Sequence, residues 1–116
     1  MSESVGTLLN RVEVARQRLG ALSVVGAPRS AQAACDLGRA VSLDVAELLG
    51  ELGTDSPAAH AAARAAGERF DSHVLAATLL EASDASTASV FEIIGRGLIR
   101  LGTDVGRLAR TRRLPA

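Results

Sequence analysis

The chain has 116 residues, 13 of them basic and 13 acidic, so its formal charge is zero, and 47% of it is hydrophobic against 2% aromatic. That balance excludes a disordered chain, and zero net charge argues against a general binder of polyanions. Residues 1–116 are read as a single domain, long enough for one hydrophobic core.

All thirteen basic residues are arginine. With the heavy alanine content this reads first as the base composition of a GC-rich, bacterial genome. Cys35 is the single cysteine and has no partner for an internal disulfide, which points to a reducing, cytoplasmic setting. Met1-Ser2-Glu3-Ser4 has neither the basic region nor the apolar run of a signal peptide.

The first helix is expected over 3–22. Ser2 or Ser4 can cap it, and Val5, Leu8, Val12, Ala15, Leu19 and Leu22 step by three and four along one face. Gly26 and Pro28 break it, leaving Val24 and Val25 to plug one end of the core.

Ser30 then caps a second helix over 30–52, with a stripe of Ala34, Leu37, Val41, Val45, Leu48 and Leu52 and with Gly53 placed for a left-handed cap. Asp36, Asp44, Glu47, Glu51 and Asp55, offset by Arg39, make this the acidic part of the chain. Such a run is ordinarily a solvated face; its other use is to dock an arginine-bearing partner.

Ser56 and Pro57 start a third helix over 57–82. Its first half is nearly all alanine, which buries little area and must lie close against a neighbour. Phe70, Val74, Ala77 and Leu80 continue its apolar side. Phe70 and Phe91 are three heptads apart, so the third and fourth helices could run on without changing phase. A break is the better reading, because a continuous helix would put Asp84 on the apolar seam without a partner. Asp84 or Ser86 then caps the fourth helix, 86–110.

That fourth helix has the most complete stripe: Phe91, Ile94, Leu98, Leu101, Val105 and Leu108. It also contains Gly95, Gly97, Gly102 and Gly106, each costing about 1 kcal/mol against alanine in a helix interior. Packing must therefore hold it wound. Gly95 and Gly102, one step from the stripe, are where a neighbouring backbone could come close. The Gly-x-x-x-Gly pair at 102 and 106 has its usual meaning inside membranes, and the apolar run that a span requires is missing. A short basic tail, 111–116, follows. Four amphipathic helices with short links predict an all-α, up-down-up-down four-helix bundle.

Neutrality hides two opposed poles. From Ala85 onward six arginines face two acids, a net +4; the first 84 residues hold seven arginines and eleven acids, a net −4. Arg96, Arg100, Arg107 and Arg110 fall away from the apolar stripe, with Arg112 and Arg113 beyond them. They can be solvated, meet the acidic second helix of another copy, or touch nucleic-acid phosphates. No aromatics interleave them, so stacking on single strands has no support.

His60 and His73 are the two histidines, and no Glu-x-x-His pair exists, so the carboxylate-bridged metal arrangement of helical bundles is not expected, nor is any cofactor. The run His60-Ala61-Ala62-Ala63-Arg64 departs from the His-x-x-Lys-Gly pattern of histidine phosphotransfer domains: the basic residue is one place late and the glycine is absent. His73 reads as a boundary histidine with a hydrogen-bond partner. Glu68 and Asp71 could pair as carboxylates, but Arg64 and Arg69 make salt bridges the simpler account. No nucleophile elbow, phosphate loop or dinucleotide fingerprint occurs.

The expectation is a non-catalytic, cytoplasmic protein-interaction module, pairing with itself or another helical protein through Phe91, Gly95, Leu98, Gly102 and Val105 of the fourth helix. The alternative is a nucleic-acid-associated regulator using Arg96, Arg100, Arg107, Arg110, Arg112 and Arg113. A small-molecule or phosphotransfer bundle is third.

Overall fold

The structure, a computed structural model, describes residues 2–25, 29–52, 56–83 and 86–113, with side chains over 5–24, 29–51, 56–83 and 86–110. It is an all-α, up-down-up-down bundle of α1 (Ser2–Val25), α2 (Ser30–Leu52), α3 (Pro57–Ala82) and α4 (Thr87–Arg113). The shape is a rod of 51 × 22 × 17 Å, as helices of 23 to 27 residues laid side by side dictate.

Helix ends follow local chemistry. Ser56 Oγ accepts the Ala59 N–H at 3.0 Å and Pro57 opens α3. The break before α4 is present. Ser83 N–H donates back to the Leu79 and Leu80 carbonyls, closing α3, and Ser86 Oγ accepts the Ser89 N–H at 3.2 Å, opening α4. Asp84, the other expected cap, lies outside the described residues, as does Gly53. Ser30 is not a cap but the first residue of α2. α4 runs on to Arg113, so the first three residues of the expected basic tail continue the helix.

The core gathers along the stripes. Val5, Leu8, Val12, Ala15 and Leu19 are buried from α1, and Val90, Ile94, Leu98, Leu101, Val105 and Leu108 from α4. Val90 takes the place expected of Phe91, which is half-buried beside the core. On α2 the buried row is Ala34, Cys35, Val41, Val45 and Leu49, whereas Leu37 and Leu48 are partly covered. The row is turned toward Gly38, itself buried. Val24 does not plug the core: α1 continues through it, and it is 88% exposed. Five residues past Leu19 is about 140° around a helix, which carries it off the buried stripe.

α1 packs on α2 and α4, α3 packs on α2 and α4, and α2 also reaches α4, while α1 and α3 have no contact among the described residues. α2 and α4 therefore occupy the short diagonal of the bundle. Gly38 makes this closeness possible, and Gly97 does the same between α3 and α4. A Cβ on Gly38 would lie 2.9 Å from Ile94 Cδ1 and 3.2 Å from a Val74 methyl, and one on Gly97 would lie 2.9 Å from His73 Cβ and 3.1 Å from its Cγ. Gly95 and Gly102 were the expected points of close approach. A Cβ there would meet Leu19 or Val12 at an ordinary 3.7 Å.

The alanine-rich half of α3 packs as its composition requires. Ala63 and Ala66 are buried, and Leu49 of α2 lies 3.5 Å from where a Gly67 Cβ would stand.

The glycines should therefore divide by sign. Gly97→Ala meets the base of a side chain that cannot swing away. An overpacking cost of about 1–3 kcal/mol exceeds the roughly 1 kcal/mol gained in helix propensity, and thermal unfolding shifts down. Gly20 has open space around its missing Cβ; Gly20→Ala raises the melting temperature, by roughly 4 °C per kcal/mol in a domain of this size.

Candidate interaction surface

The charged side chains of α4 are arranged by a residue that composition does not single out. Asp104 is 4% exposed. One carboxylate oxygen accepts from Arg69 Nε of α3 at 3.1 Å, and the other from Arg100 Nε, one turn back on α4, at 3.4 Å. The cost of burying the carboxylate is offset by two charge-assisted bonds, and the bridge ties α3 to α4. Its signal in the sequence is the Arg100–Asp104 spacing of four. That spacing reads equally well as an exposed pair, so the burial was not legible.

Of the expected arginine row, Arg96 pairs with Glu92 on the same helix and Arg100 with Asp104. Arg107 and Arg110 are on the exposed side. The side chains of Arg112 and Arg113 lie outside the described residues. The acidic pole is stitched in the same way: Asp36 pairs with Arg39, and Asp44 with Arg11 across to α1. The two poles are thus partly neutralised within the chain.

The expected interface on α4 is corrected in part. Leu98 and Val105 are fully buried among the chain's own helices, because the stripe that carries them is the core stripe. They are not available to a second molecule. Gly95 and Gly102 face Leu19 and Val12 of α1 in the same chain. With half-buried Phe91 they line a shallow α1–α4 seam whose two depressions, about 450 and 440 Å³, meet at Arg16 and Ile99.

The larger apolar exposure is elsewhere. On the α2–α3 face Leu43 is 81% exposed, Leu75 60% and Leu79 62%, against 39% for Leu9 and 56% for Ile99 beside the α1–α4 seam. A depression of about 400 Å³ lies between α2 and α3, with Leu43 and Leu75 among its walls and Val74 and Thr78 among its lining. Alternation of polar and apolar residues along α2 and α3 could have shown this face. Leu43 and Leu75 interrupt otherwise polar sides, but single exposed leucines are common enough that neither stands out alone.

His60 is exposed near the start of α3, away from any described cluster of ligands. His73 is the boundary histidine expected: its Nδ1 donates to the Arg69 carbonyl at 2.8 Å, since a carbonyl can only accept. Glu68 pairs with Arg64 and Asp71 accepts from Ser42, so the two acids serve separate contacts. Among the described residues no group of three or more His, Cys, Asp or Glu is placed to hold a metal ion, and no helix is long and apolar enough to cross a membrane.

Cys35 is buried against α3. Burial pushes its thiol pKa up, a hydrogen bond with Thr78 lowers it, and the charge of Glu81 raises it further. The result is a thiol that stays protonated at neutral pH. In the native chain it should react with an aromatic disulfide reagent at pH 7.5 at least a hundredfold more slowly than in denaturant, as followed by absorbance. Asp104→Ala should cost about 2 kcal/mol in urea unfolding; Arg69 and Arg100 are half-exposed and can rehydrate, which keeps the loss below the roughly 3–5 kcal/mol of a fully buried pair. In a double-mutant cycle the coupling to Arg69→Ala should be near 1 kcal/mol.

Compared with models of protein families, with curated proteins and with solved structures, the chain has no match.

Proposed function

We propose that this chain is a non-catalytic helical interaction module that pairs with a second copy of itself. The observation that supports the reading is apolar surface left uncovered: Leu43 is 81% exposed, Leu75 60% and Leu79 62% on the α2–α3 face, and exposed apolar patches of this kind are where proteins meet partners.

The alternative, contact between nucleic-acid phosphates and Arg96, Arg100, Arg107, Arg110, Arg112 and Arg113, has less support. Glu92 and Asp104 already engage two of the six, which lowers the positive field those residues present.

Light scattering after gel filtration, at tens of micromolar, should give a mass near twice 11.9 kDa, and the melting temperature should fall on dilution. A single-chain mass together with a melting temperature independent of concentration would sink the reading.

A further inference from the structure

We infer that two copies pair by exchanging α4. In the pair, α3 and α4 of each chain join into one straight helix, and each α4 docks on the α1, α2 and α3 of the other chain. This rests on the self-pairing reading above and adds how the pair is made; it draws nothing from the exposed leucines of the α2–α3 face.

Four observations carry it. First, the contact is complementary by construction. The pair reuses the packing of α4 on α1, α2 and α3, with Asp104 of one copy reaching Arg69 of the other, so no new surface has to fit itself. Second, the apolar rows keep one phase through the break. Ala63, Phe70 and Ala77 of α3 share a seven-residue spacing with Leu98 and Val105 of α4, all of them buried, and Ala66 shares a second with Ile94 and Leu101. Exchange demands this match. Its two-fold axis passes between the two long antiparallel helices and perpendicular to both, so α1 and α2 of both copies lie on one side. Each long helix then needs a single apolar side from end to end. Third, little backbone has to change. Ser83 N–H donates to the Leu79 carbonyl at 3.1 Å and Val90 N–H to the Ser86 carbonyl at 3.3 Å, both with the spacing of an α-helix. Straightening re-forms the turn between those bonds and gives up the Ser86 cap. The link 83–86 contains no glycine or proline, whereas the link before α2 has Gly26 and Pro28, and Gly53 and Pro57 flank the one before α3. Fourth, Val24 is 88% exposed. It stands at the end of α1, and α1 and α3 run parallel, so it shares its end of the rod with the α3–α4 junction. Exchange stacks the two rods on that end and brings Val24 toward the other copy. Asp84 falls on the seam at the junction, and Arg29 of each copy, at the same end of the rod, offsets its charge.

The experiment combines sedimentation equilibrium and small-angle X-ray scattering on the full chain, on Thr87→Pro and on Thr87→Ala. Thr87 is exposed and opens α4. Proline suits a first helical position, as Pro57 does in α3, but inside a continuous helix it removes a backbone bond and clashes with the preceding turn. Helicity by circular dichroism checks that both variants fold. The exchanged pair is two rods end to end, so the wild type is expected at twice 11.9 kDa with a longest dimension of roughly 100 Å, against 51 Å for one rod. Thr87→Pro is expected to raise the dissociation constant at least roughly 100-fold, and Thr87→Ala to change it by less than about 3-fold. A pair whose longest dimension stays near 51 Å, one that withstands Thr87→Pro, or one that Thr87→Ala breaks as readily, overturns the exchange and leaves self-pairing standing. A wild-type chain that is monomeric throughout removes both.

Discussion

The contact between Gly97 and the base of His73 sets how closely α4 can lie on α3, and much of the bundle follows from that distance. With a side chain at 97 the two helices would have to move apart locally, on the edge of α4 that two turns further along carries the Asp104 carboxylate to Arg69. Gly38 does the equivalent for α2, letting Ile94 and Val74 close over its backbone. The cost in helix propensity is real, about 1 kcal/mol at each position, and the return is a tightly apposed centre built almost wholly from aliphatic side chains.

The helices were legible because their apolar residues recur at three and four. Breaks at Ser56-Pro57 and around Ser86 were legible because hydroxyl caps have a specific hydrogen-bonding job. What periodicity cannot give is the rotation of a helix that has neighbours on three sides. α2 is such a helix: its arc is wide enough to bury Cys35 and Leu49 while leaving Leu37 and Leu48 half-covered. For the same reason Gly95 and Gly102 looked like points of approach, whereas the tight contacts fall at Gly97 and Gly38. A missing side chain shows in the sequence; which neighbour fills the space does not. Val24 shows a further limit. An apolar residue beyond an expected helix end invites a role in the core, but one more turn of helix carries it into solvent.

Charge is organised more locally than the opposed totals of the two parts suggest. Arg96 with Glu92, Arg39 with Asp36 and Arg64 with Glu68 are pairs within single helices, and such exposed pairs contribute a few tenths of a kcal/mol each. Arg11 with Asp44, and Arg69 with Asp104, join different helices; the second has one buried partner and is the one able to fix a register.

Among the described residues α1 touches α2 and α4 but not α3, which has a consequence for the order in which the molecule can be assembled. The hairpins α2–α3 and α3–α4 each form between neighbours in the chain and close short loops. The second wall of the α1 berth is α4, nearly the whole chain away, and that closure carries the largest loop entropy in the bundle. The first of the four helices in chain order is thus the one whose seat is finished last, held in the meantime by α2 alone.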